Sequence, residues 1–336
     1  MDLKIIKRTR NYVDIVNFYR KGVNNMLKIY KTDVLSDISK LEKFEKDCWI
    51  NLTLPTTEEI DLVSKETGIS RELILKLLDE EEIPRIEVDG SSTLIVVDSP
   101  YIEDTDNKYA TMPLGIIIDN NGYLLTISSK KLEVLRNFKN GMVKDLHTEK
   151  KSRFTIQILY ENAKLYLKYL KFINRNIYNK EKILYNATEN KELISVLNIE
   201  KSLVYFITSL KENDVLIDRI AKGNVIPMYE DDLDLLEDAQ IENKQGVEMA
   251  NIYREILSSV SDAYATIISN NLNQVMKILT SITIIFSIPT MIASFIGMNV
   301  PLGKLSTLSY SFWIIIGISV LISIALAVYL RKKKLL

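Results

Sequence analysis

The stretch that decides the fold is "NQVMKILTSITIIFSIPTMIASFIGMNV", residues 273–300, in which Lys277 is the single charged side chain. No charged residue occurs from Ile278 to Gly303, and none occurs from Leu305 to Leu330. A helix needs about 20 apolar residues to cross the hydrocarbon core of a bilayer, and each run is longer than that. Two adjacent runs of this length disfavour the alternative, a buried hairpin in a soluble core. The sequence therefore predicts two transmembrane helices.

The charges beside these runs predict their orientation. Four basic residues, Arg331 to Lys334, follow the second run, whereas the loop between the runs carries only Lys304. Basic residues accumulate on the cytoplasmic side, so the C-terminus and, two spans away, the N-terminus are expected in the cytoplasm. The single cysteine, Cys48, suits a reducing compartment. We expect a multi-pass protein of the plasma (inner) membrane, in contact with lipid.

Composition argues against nucleic-acid binding and against most kinds of catalysis. Lys and Arg number 43 against 44 Asp and Glu, so the chain lacks the excess of base that phosphate neutralisation requires. His147 and Cys48 are the only residues of their types, which leaves no zinc constellation and no nucleophile–histidine pair. The sequence has no Walker A loop and no GxGxxG motif. We predict no nucleic-acid partner and no enzyme activity.

Residues 1–150 show a mixed α/β pattern. "WINLTLP" (49–55) indicates a strand, and residues 56–82 indicate two helices separated at Gly68, with Thr56 or Thr57 as N-cap and Glu59 as its capping-box partner. The dipeptides at 89–90 (Asp-Gly) and 121–122 (Asn-Gly) each lie between strand-like runs and predict turns. A small sheet with flanking helices is expected, as an α+β cytoplasmic domain.

Beyond residue 150 the pattern becomes helical. A heptad-like seam predicts a long helix, which Asn186–Glu189 interrupts before a second helix ends near Lys222. Its members are Ile156, Leu159, Ala163, Tyr166, Leu170, Ile173 and Ile177. We therefore predict a helical hairpin at 151–228.

One very long helix is expected from about residue 229 to 299, roughly 100 Å at 1.5 Å per residue. It would contain a cytoplasmic stalk (229–277) continuous with the first transmembrane helix (278–299). The external loop (300–309), the second transmembrane helix (310–330) and the basic tail (331–336) then follow. A further apolar stripe comprises Met249, Ile252, Ile256, Val260, Ala263 and Ile267. A helix this long needs neighbours along its length, so a homo-oligomer is expected.

A polar or small face runs along the first predicted span. Its members recur every three or four residues: Asn273, Met276, Thr280, Thr283, Ser287, Thr290 and Ser294. In hydrocarbon such a face must meet protein or water, so it either lines a pore or mediates tight helix packing. If it lines a pore, Met276 and Leu279 would form an apolar constriction that gates by dewetting.

The segment 273–300, a short loop, a second span and a basic end together resemble the CorA family of divalent-cation channels. Gly297-Met298-Asn299 at the end of the first span is the signature of that family, and residues 235–273 resemble its stalk. The resemblance is specific from about residue 229 onward. It implies a pentameric funnel whose first span lines a central pore, with hydrated Mg²⁺ entering at a ring of Asn299 side chains.

The chemistry of the signature fits that expectation. Mg²⁺ loses its water reluctantly, so Asn299 carbonyls are expected to accept hydrogen bonds from the coordinated waters and to release the ion easily. Gly297 would let the backbones of neighbouring copies approach closely at the mouth. The thioether of Met298 is a soft metal ligand and a poor match for Mg²⁺, so this residue is expected to support the loop rather than to bind the ion. The alternative for Asn299 is an ordinary helix C-terminal residue in a left-handed turn.

Acidic residues on the cytoplasmic side form a second feature. Seven acids and no base occur between Glu230 and Glu242, which suits a helix N-terminus or a regulatory cation. By the resemblance, Asp238 is the candidate ligand of a regulatory Mg²⁺ between subunits. Lys76 lies where the resemblance implies an acidic partner, so Asp79 and Glu80 are the substitute candidates. The basic tail would form a collar beside the stalk or bind lipid headgroups.

The predicted function is a pentameric channel for passive transport of hydrated Mg²⁺, with Co²⁺ and Ni²⁺ as further candidates. The outer loop carries Lys304 and lacks the acidic segment of many family members, so the same fold could transport Zn²⁺ or act in efflux. The alternative of another class is a membrane-anchored coiled-coil scaffold or sensor that conducts nothing.

Overall fold

A computed structural model describes residues 27–103, 108–184, 190–223, 225–298, 310–333 and 335. The chain divides into two compact units, residues 1–258 and residues 259–336. Three predictions lie outside the described residues: the interruption at 186–189, the Asn299 side chain and the external loop at 300–309.

The first unit is built on a seven-stranded sheet with the order β2-β1-β3-β7-β6-β5-β4. Its strands are β1 (Leu27–Thr32), β2 (Ile38–Leu41), β3 (Trp49–Thr53), β4 (Arg85–Asp89), β5 (Ser92–Glu103), β6 (Lys108–Asp119) and β7 (Leu124–Ser128). The β3–β7 pair is parallel and the other pairs are antiparallel. Both predicted turns are confirmed, with left-handed Gly90 and Gly122 in them. The sequence patterns did not predict β1 or β2.

Seven helices occur in the described residues. They are α1 (Thr57–Thr67), α2 (Arg71–Lys76), α3 (Glu133–Lys139), α4 (Lys151–Leu184), α5 (Asn190–Lys222), α6 (Glu230–Ile296) and α7 (Ser311–Lys332). The predicted continuous helix from the stalk into the first span is therefore confirmed as α6, and α4 and α5 are the two helices of the predicted hairpin.

Local hydrogen bonds explain where α1 begins and ends. The Thr56 hydroxyl accepts from the Glu59 backbone N–H, and the Glu59 carboxylate accepts from the Thr56 backbone N–H, which completes the predicted capping box. The same carboxylate accepts from the Leu27 N–H at 3.0 Å, so it also holds the start of β1. Gly68 ends the helix at a φ of 78°, which favours glycine.

Strand alternation places the sheet between two helical layers. Ile50 and Leu52 of β3 share one core with Ile60 and Ile74 of α1 and α2. Trp49 precedes them on the strand and points the other way from Ile50, because successive side chains of a strand face opposite sides. It packs against Tyr30, Phe138 and Phe154, which extends the aromatic contacts to α3 and α4.

The helical hairpin is packed as its seam predicts, since all seven seam residues of α4 are buried. Helix α6 packs on this hairpin through small and polar residues. The Asn243 amide donates to the Leu210 carbonyl at 2.9 Å, and a Cβ on Gly246 would lie 3.1 Å from a Leu210 methyl group. The predicted stripe on α6 is not buried in the same way, because Ile252 and Ile256 remain 53% and 40% exposed.

Candidate ion pathway

The membrane-length part of α6 has one partly covered face within the second unit. Ser281 is buried, and Ile285, Ile288, Ile292 and Ile296 are less exposed than their neighbours. The Ser281 hydroxyl donates to the Leu335 carbonyl at 2.8 Å. The spacing of three and four residues shows that this face is a stripe along the helix.

Four of the predicted pore-lining residues lie on the opposite face. Residues 283, 287, 290 and 294 are displaced by two positions from the covered stripe, which is about 200° around a helix. All eight predicted pore residues are exposed: Asn273, Met276, Leu279, Thr280, Thr283, Ser287, Thr290 and Ser294. Four of them, Thr283, Ser287, Thr290 and Ser294, line one open groove together with Phe286, Met291 and Phe295.

Hydrogen bonds within the helix determine what this groove can offer an ion. The hydroxyl of Thr283 donates to the Leu279 carbonyl at 2.8 Å, and that of Thr290 donates to the Phe286 carbonyl at 3.0 Å. The Ser287 hydroxyl donates to a carbonyl of the preceding turn at 2.8 Å. Because each proton is used inside the helix, the oxygens present lone pairs to the groove. Such oxygens accept hydrogen bonds from the water shell of a cation.

The signature begins where α6 ends. The backbone N–H of Gly297 donates to the Ala293 carbonyl at 2.9 Å, so this residue continues the helical hydrogen bonding. A Cβ at Gly297 would lie 3.3 Å from the same carbonyl oxygen, which is tight. Met298 is 55% exposed, and its N–H lies 3.4 Å from the Phe295 carbonyl. The structure thus describes two residues of the signature, and Asn299 stays a prediction.

The predicted regulatory carboxylates differ in how free they are to bind a cation. Asp238 is exposed and has no ion pair or hydrogen bond in the described part of the chain. Asp79 accepts from the Glu81 N–H at 3.0 Å, and Glu80 pairs with Lys130 at 3.1 Å. Among the described residues of a single chain, no three His, Cys, Asp or Glu side chains group as a metal site.

Part of the acidic run at the start of α6 is structural. Asp232 is buried, accepts from the Tyr229 N–H at 3.0 Å and pairs with Arg153 at 3.3 Å. Its negative charge also lies at a helix N-terminus, where the helix dipole favours it. This residue therefore follows the helix-terminus alternative, whereas Asp238 remains open to solvent.

A buried carboxyl group on β5, Asp98, escaped the sequence analysis. Its backbone carbonyl accepts from the side-chain amides of Asn162 and Asn213 at 2.7 and 2.8 Å, and its carboxylate accepts from the Ser209 hydroxyl. Burial, with a smaller contribution from the negative charge of Glu212, raises the pKa of Asp98 to about 6. The sequence feature that could have indicated this buried carboxyl group is an acidic residue inside the apolar run "LIVVDSP" (94–100).

These features define a class of protein. Two helices, α6 and α7, are long and apolar enough to cross a membrane. The first carries an uncharged acceptor face that the described residues leave exposed. An α/β unit precedes them in the chain. This combination is that of a two-span membrane transporter with a large soluble domain.

Comparison with known proteins identifies the family. Residues 45–332 match the family described as CorA-like Mg²⁺ transporter protein, and the chain belongs to that family. It is therefore a membrane transporter of divalent cations, and its family is one of transporters rather than enzymes.

Individual relatives agree with this assignment. The chain is 32% identical over 296 residues to the cobalt/magnesium transport protein CorA of Methanocaldococcus jannaschii, covering 85% of this chain and 90% of that protein. It is 21% identical over 313 residues to the Thermotoga maritima protein of the same name, covering 91% and 88%. A solved structure of the M. jannaschii magnesium transporter superposes with a TM-score of 0.78 at 28% identity, covering 92% of this chain and 98% of that one.

Proposed function

We propose that this protein is a homopentameric channel of the plasma (inner) membrane that passes hydrated Mg²⁺ passively, with Co²⁺ and Ni²⁺ as further cargo. The observation that carries the proposal is the groove on α6. There the protons of Thr283, Ser287 and Thr290 are donated to helix carbonyls, so the oxygens can accept from the ion's water. The names of the M. jannaschii and T. maritima relatives, cobalt/magnesium transport proteins, support these cargoes.

Acceptor oxygens without charge suit Mg²⁺ for an energetic reason. The ion holds its water strongly, so a site that replaced the first shell would have to offset a large hydration energy. Hydrogen bonds to that shell leave it intact and are weak enough for release. In this proposal Asn299 provides the outer acceptor ring, and Met276 and Leu279, which are 52% and 56% exposed, form the apolar constriction.

The apolar surface of α6 supports the assembly. Its stripe leaves Ile252 and Ile256 about half exposed after the helix has packed on its own hairpin. Apolar residues at heptad spacing on a long helix are typically covered by parallel copies. Five copies around the acceptor face would enclose a path, and membrane spans at 278–299 and 310–330, with both termini cytoplasmic, complete the proposed topology.

Regulation by cytoplasmic Mg²⁺ is proposed at the subunit interface. Asp238 fits such a site, because its oxygens are exposed and have no protein partner in the described chain. Asp79 fits in part, since one oxygen already accepts a backbone N–H. Glu80 fits poorly while Lys130 neutralises it. Bound Mg²⁺ would offset repulsion between carboxylates of neighbouring subunits and hold the pore closed.

Flux into liposomes at a clamped potential tests the proposal, with Mg²⁺, Ni²⁺ and Zn²⁺ offered separately. We expect Mg²⁺ flux in the wild type and loss of flux in Asn299→Ala. In Thr290→Val we expect flux to fall by roughly tenfold or more, because losing a hydrogen bond worth about 1.4 kcal/mol corresponds to a factor of ten. Thr290→Ser keeps the hydroxyl and is the matched control, expected to conduct. Equal flux in the wild type and all three variants would reject the acceptor-face mechanism.

The same assay separates the alternatives. Flux of Zn²⁺ without Mg²⁺ would favour the zinc transporter, and flux only under an outward gradient would favour efflux. No flux of any cation, with intact assembly, would favour the scaffold. A monomer or dimer in detergent would contradict the pentamer.

A further inference from the structure

A pocket of about 410 Å³ lies in the first unit, on the aromatic side of the sheet, and the ion pathway does not use it. Lys28 projects into it from β1 beside its cross-strand partner Asn51. Lys131 and the helix α3 residues Arg136 and Lys139 contribute three more cationic side chains. Three of these residues lie within positions 131–139, and the fold adds Lys28 to them from a distant strand.

The positive charge of the pocket is largely uncompensated. Glu133 is the one carboxylate among the described lining residues, and its oxygens already accept from Lys168 at 2.9 Å, from Arg136 at 3.5 Å and from the Tyr169 hydroxyl. In the part of the chain that the structure describes, Lys28 and Lys139 have no ion pair or hydrogen bond. The same holds there for Lys131.

The pKa of Lys139 reflects this excess of positive charge. Burial, together with the positive charges of Lys28 and Lys131, lowers its pKa to about 8. An anion placed among the three ammonium groups would remove this repulsion, because opposite charge favours the charged form of a lysine.

A buried hydroxyl adds a neutral donor. Thr53 is 5% exposed, lines the pocket and accepts from the Asn51 amide at 3.0 Å. The carbonyl oxygen of that amide accepts from Thr126 at 3.1 Å, which fixes the amide orientation. Because the Thr53 oxygen is already an acceptor, its proton is left to donate, and in the described residues it has no acceptor. An anionic oxygen in the pocket would supply one.

We propose that this pocket binds a small soluble organic phosphate. The phosphate group would lie among Lys28, Lys131 and Lys139 and would accept from the Thr53 hydroxyl. Three ammonium groups suit a dianion better than a single carboxylate, and lysine is an established point-charge ligand of phosphate. The organic part would contact the ring of Tyr101 and the side chain of Ile102, which line the same pocket. Its volume lies in the range of small-molecule sites.

Calorimetry on the full-length protein in detergent, in Mg²⁺-free buffer, tests the site with AMP, inorganic phosphate and adenosine as titrants. We expect AMP to bind more tightly than inorganic phosphate and adenosine not to bind at millimolar concentrations. Lys139→Met and Thr53→Val should each weaken AMP binding by about tenfold or more. Lys201→Met removes an exposed lysine of α5 outside the pocket and should leave binding unchanged.

Proton linkage gives a second readout that a general loss of structure would not reproduce. At about pH 8, bound AMP should raise the pKa of Lys139 and draw protons from the buffer, seen as heats that differ between buffers of different ionisation enthalpy. Lys139→Met should abolish this difference. Absence of AMP binding, equal affinities for AMP and inorganic phosphate, or equal binding by Lys201→Met and Lys139→Met would each overturn the proposal.

Discussion

Neutralising the buried Asp98 by Asp98→Asn should stabilise the first unit at neutral pH. This carboxyl group lies between β5 and the α4–α5 hairpin, with no cationic partner in the described residues. The side-chain amide oxygen that the substitution introduces would still accept from the Ser209 hydroxyl, so the replacement removes the charge and keeps the shape. The backbone carbonyl at this position would keep its bonds to Asn162 and Asn213.

The magnitude follows from the raised pKa. Burial lifts the pKa of Asp98 from 3.8 to about 6, so the folded state binds this proton more tightly than the unfolded chain. Stability from this group is therefore fully present below about pH 4 and is lost as the pH rises to about 6 and beyond. At about 1.36 kcal/mol per pKa unit, the loss is roughly 3 kcal/mol. Asp98→Asn should recover roughly 2–3 kcal/mol at about pH 7.5 and almost nothing near pH 4.

Urea unfolding followed by tryptophan fluorescence measures this effect in the full-length protein. The chain has two tryptophans, so a Trp313→Phe background leaves buried Trp49 as the reporter of the first unit. Asp119→Asn is the control, because buried Asp119 accepts from the Asn121 N–H at 2.8 Å and from Ser92 at 3.0 Å. An amide there would turn an acceptor into a donor, so this variant should lose stability. An Asp98→Asn protein no more stable than wild type at about pH 7.5, or equally stabilised at both pH values, would refute the reasoning.

Two further predictions concern regulation and packing. Asp238→Asn should raise, by several-fold, the cytoplasmic Mg²⁺ concentration that half-inhibits flux. Glu237→Gln, whose side chain lies about 100° away around the helix, should leave that concentration unchanged. Equal responses of the two variants in liposomes would contradict the regulatory role. Gly246→Leu should destabilise the first unit by about 1–3 kcal/mol in urea unfolding, because its Cβ alone would lie 3.1 Å from Leu210; an unchanged midpoint would show that α6 does not depend on this close approach.

Local patterns in the sequence predicted those parts of the fold that depend on neighbouring residues. Thr56 and Glu59 signal a helix start within four residues, and Gly68 signals its end by the conformation it alone adopts easily. The seam of α4 was identified because burial on a helix repeats every three or four residues. The hydroxyl face of α6 was found in the same way, and the structure adds the carbonyls that take its protons.

Features that join distant segments could not be predicted in this way. Strands β1 and β2 are short, and what makes β1 part of the sheet is its pairing with β3, along with a hydrogen bond from Leu27 to Glu59, 32 residues away. The Asp98 carboxylate meets Ser209 across 111 residues. Lys28 and Lys139 approach only because α3 lies over the sheet. The local pattern of a single sequence does not indicate such long-range contacts.

The hydroxyl protons that α6 keeps within its own backbone have a consequence for which ions a path beside it could admit. A chloride ion approaching this wall would find oxygen lone pairs from Thr283 and Thr290 and no proton directed toward it. Anions would thereby be disfavoured in such a path without any formal charge on the wall. Because these hydroxyl groups do not titrate near neutrality, a selectivity that arises in this way should not change with pH there. It should also be insensitive to salt concentration, because the wall has no fixed charge for dissolved ions to screen.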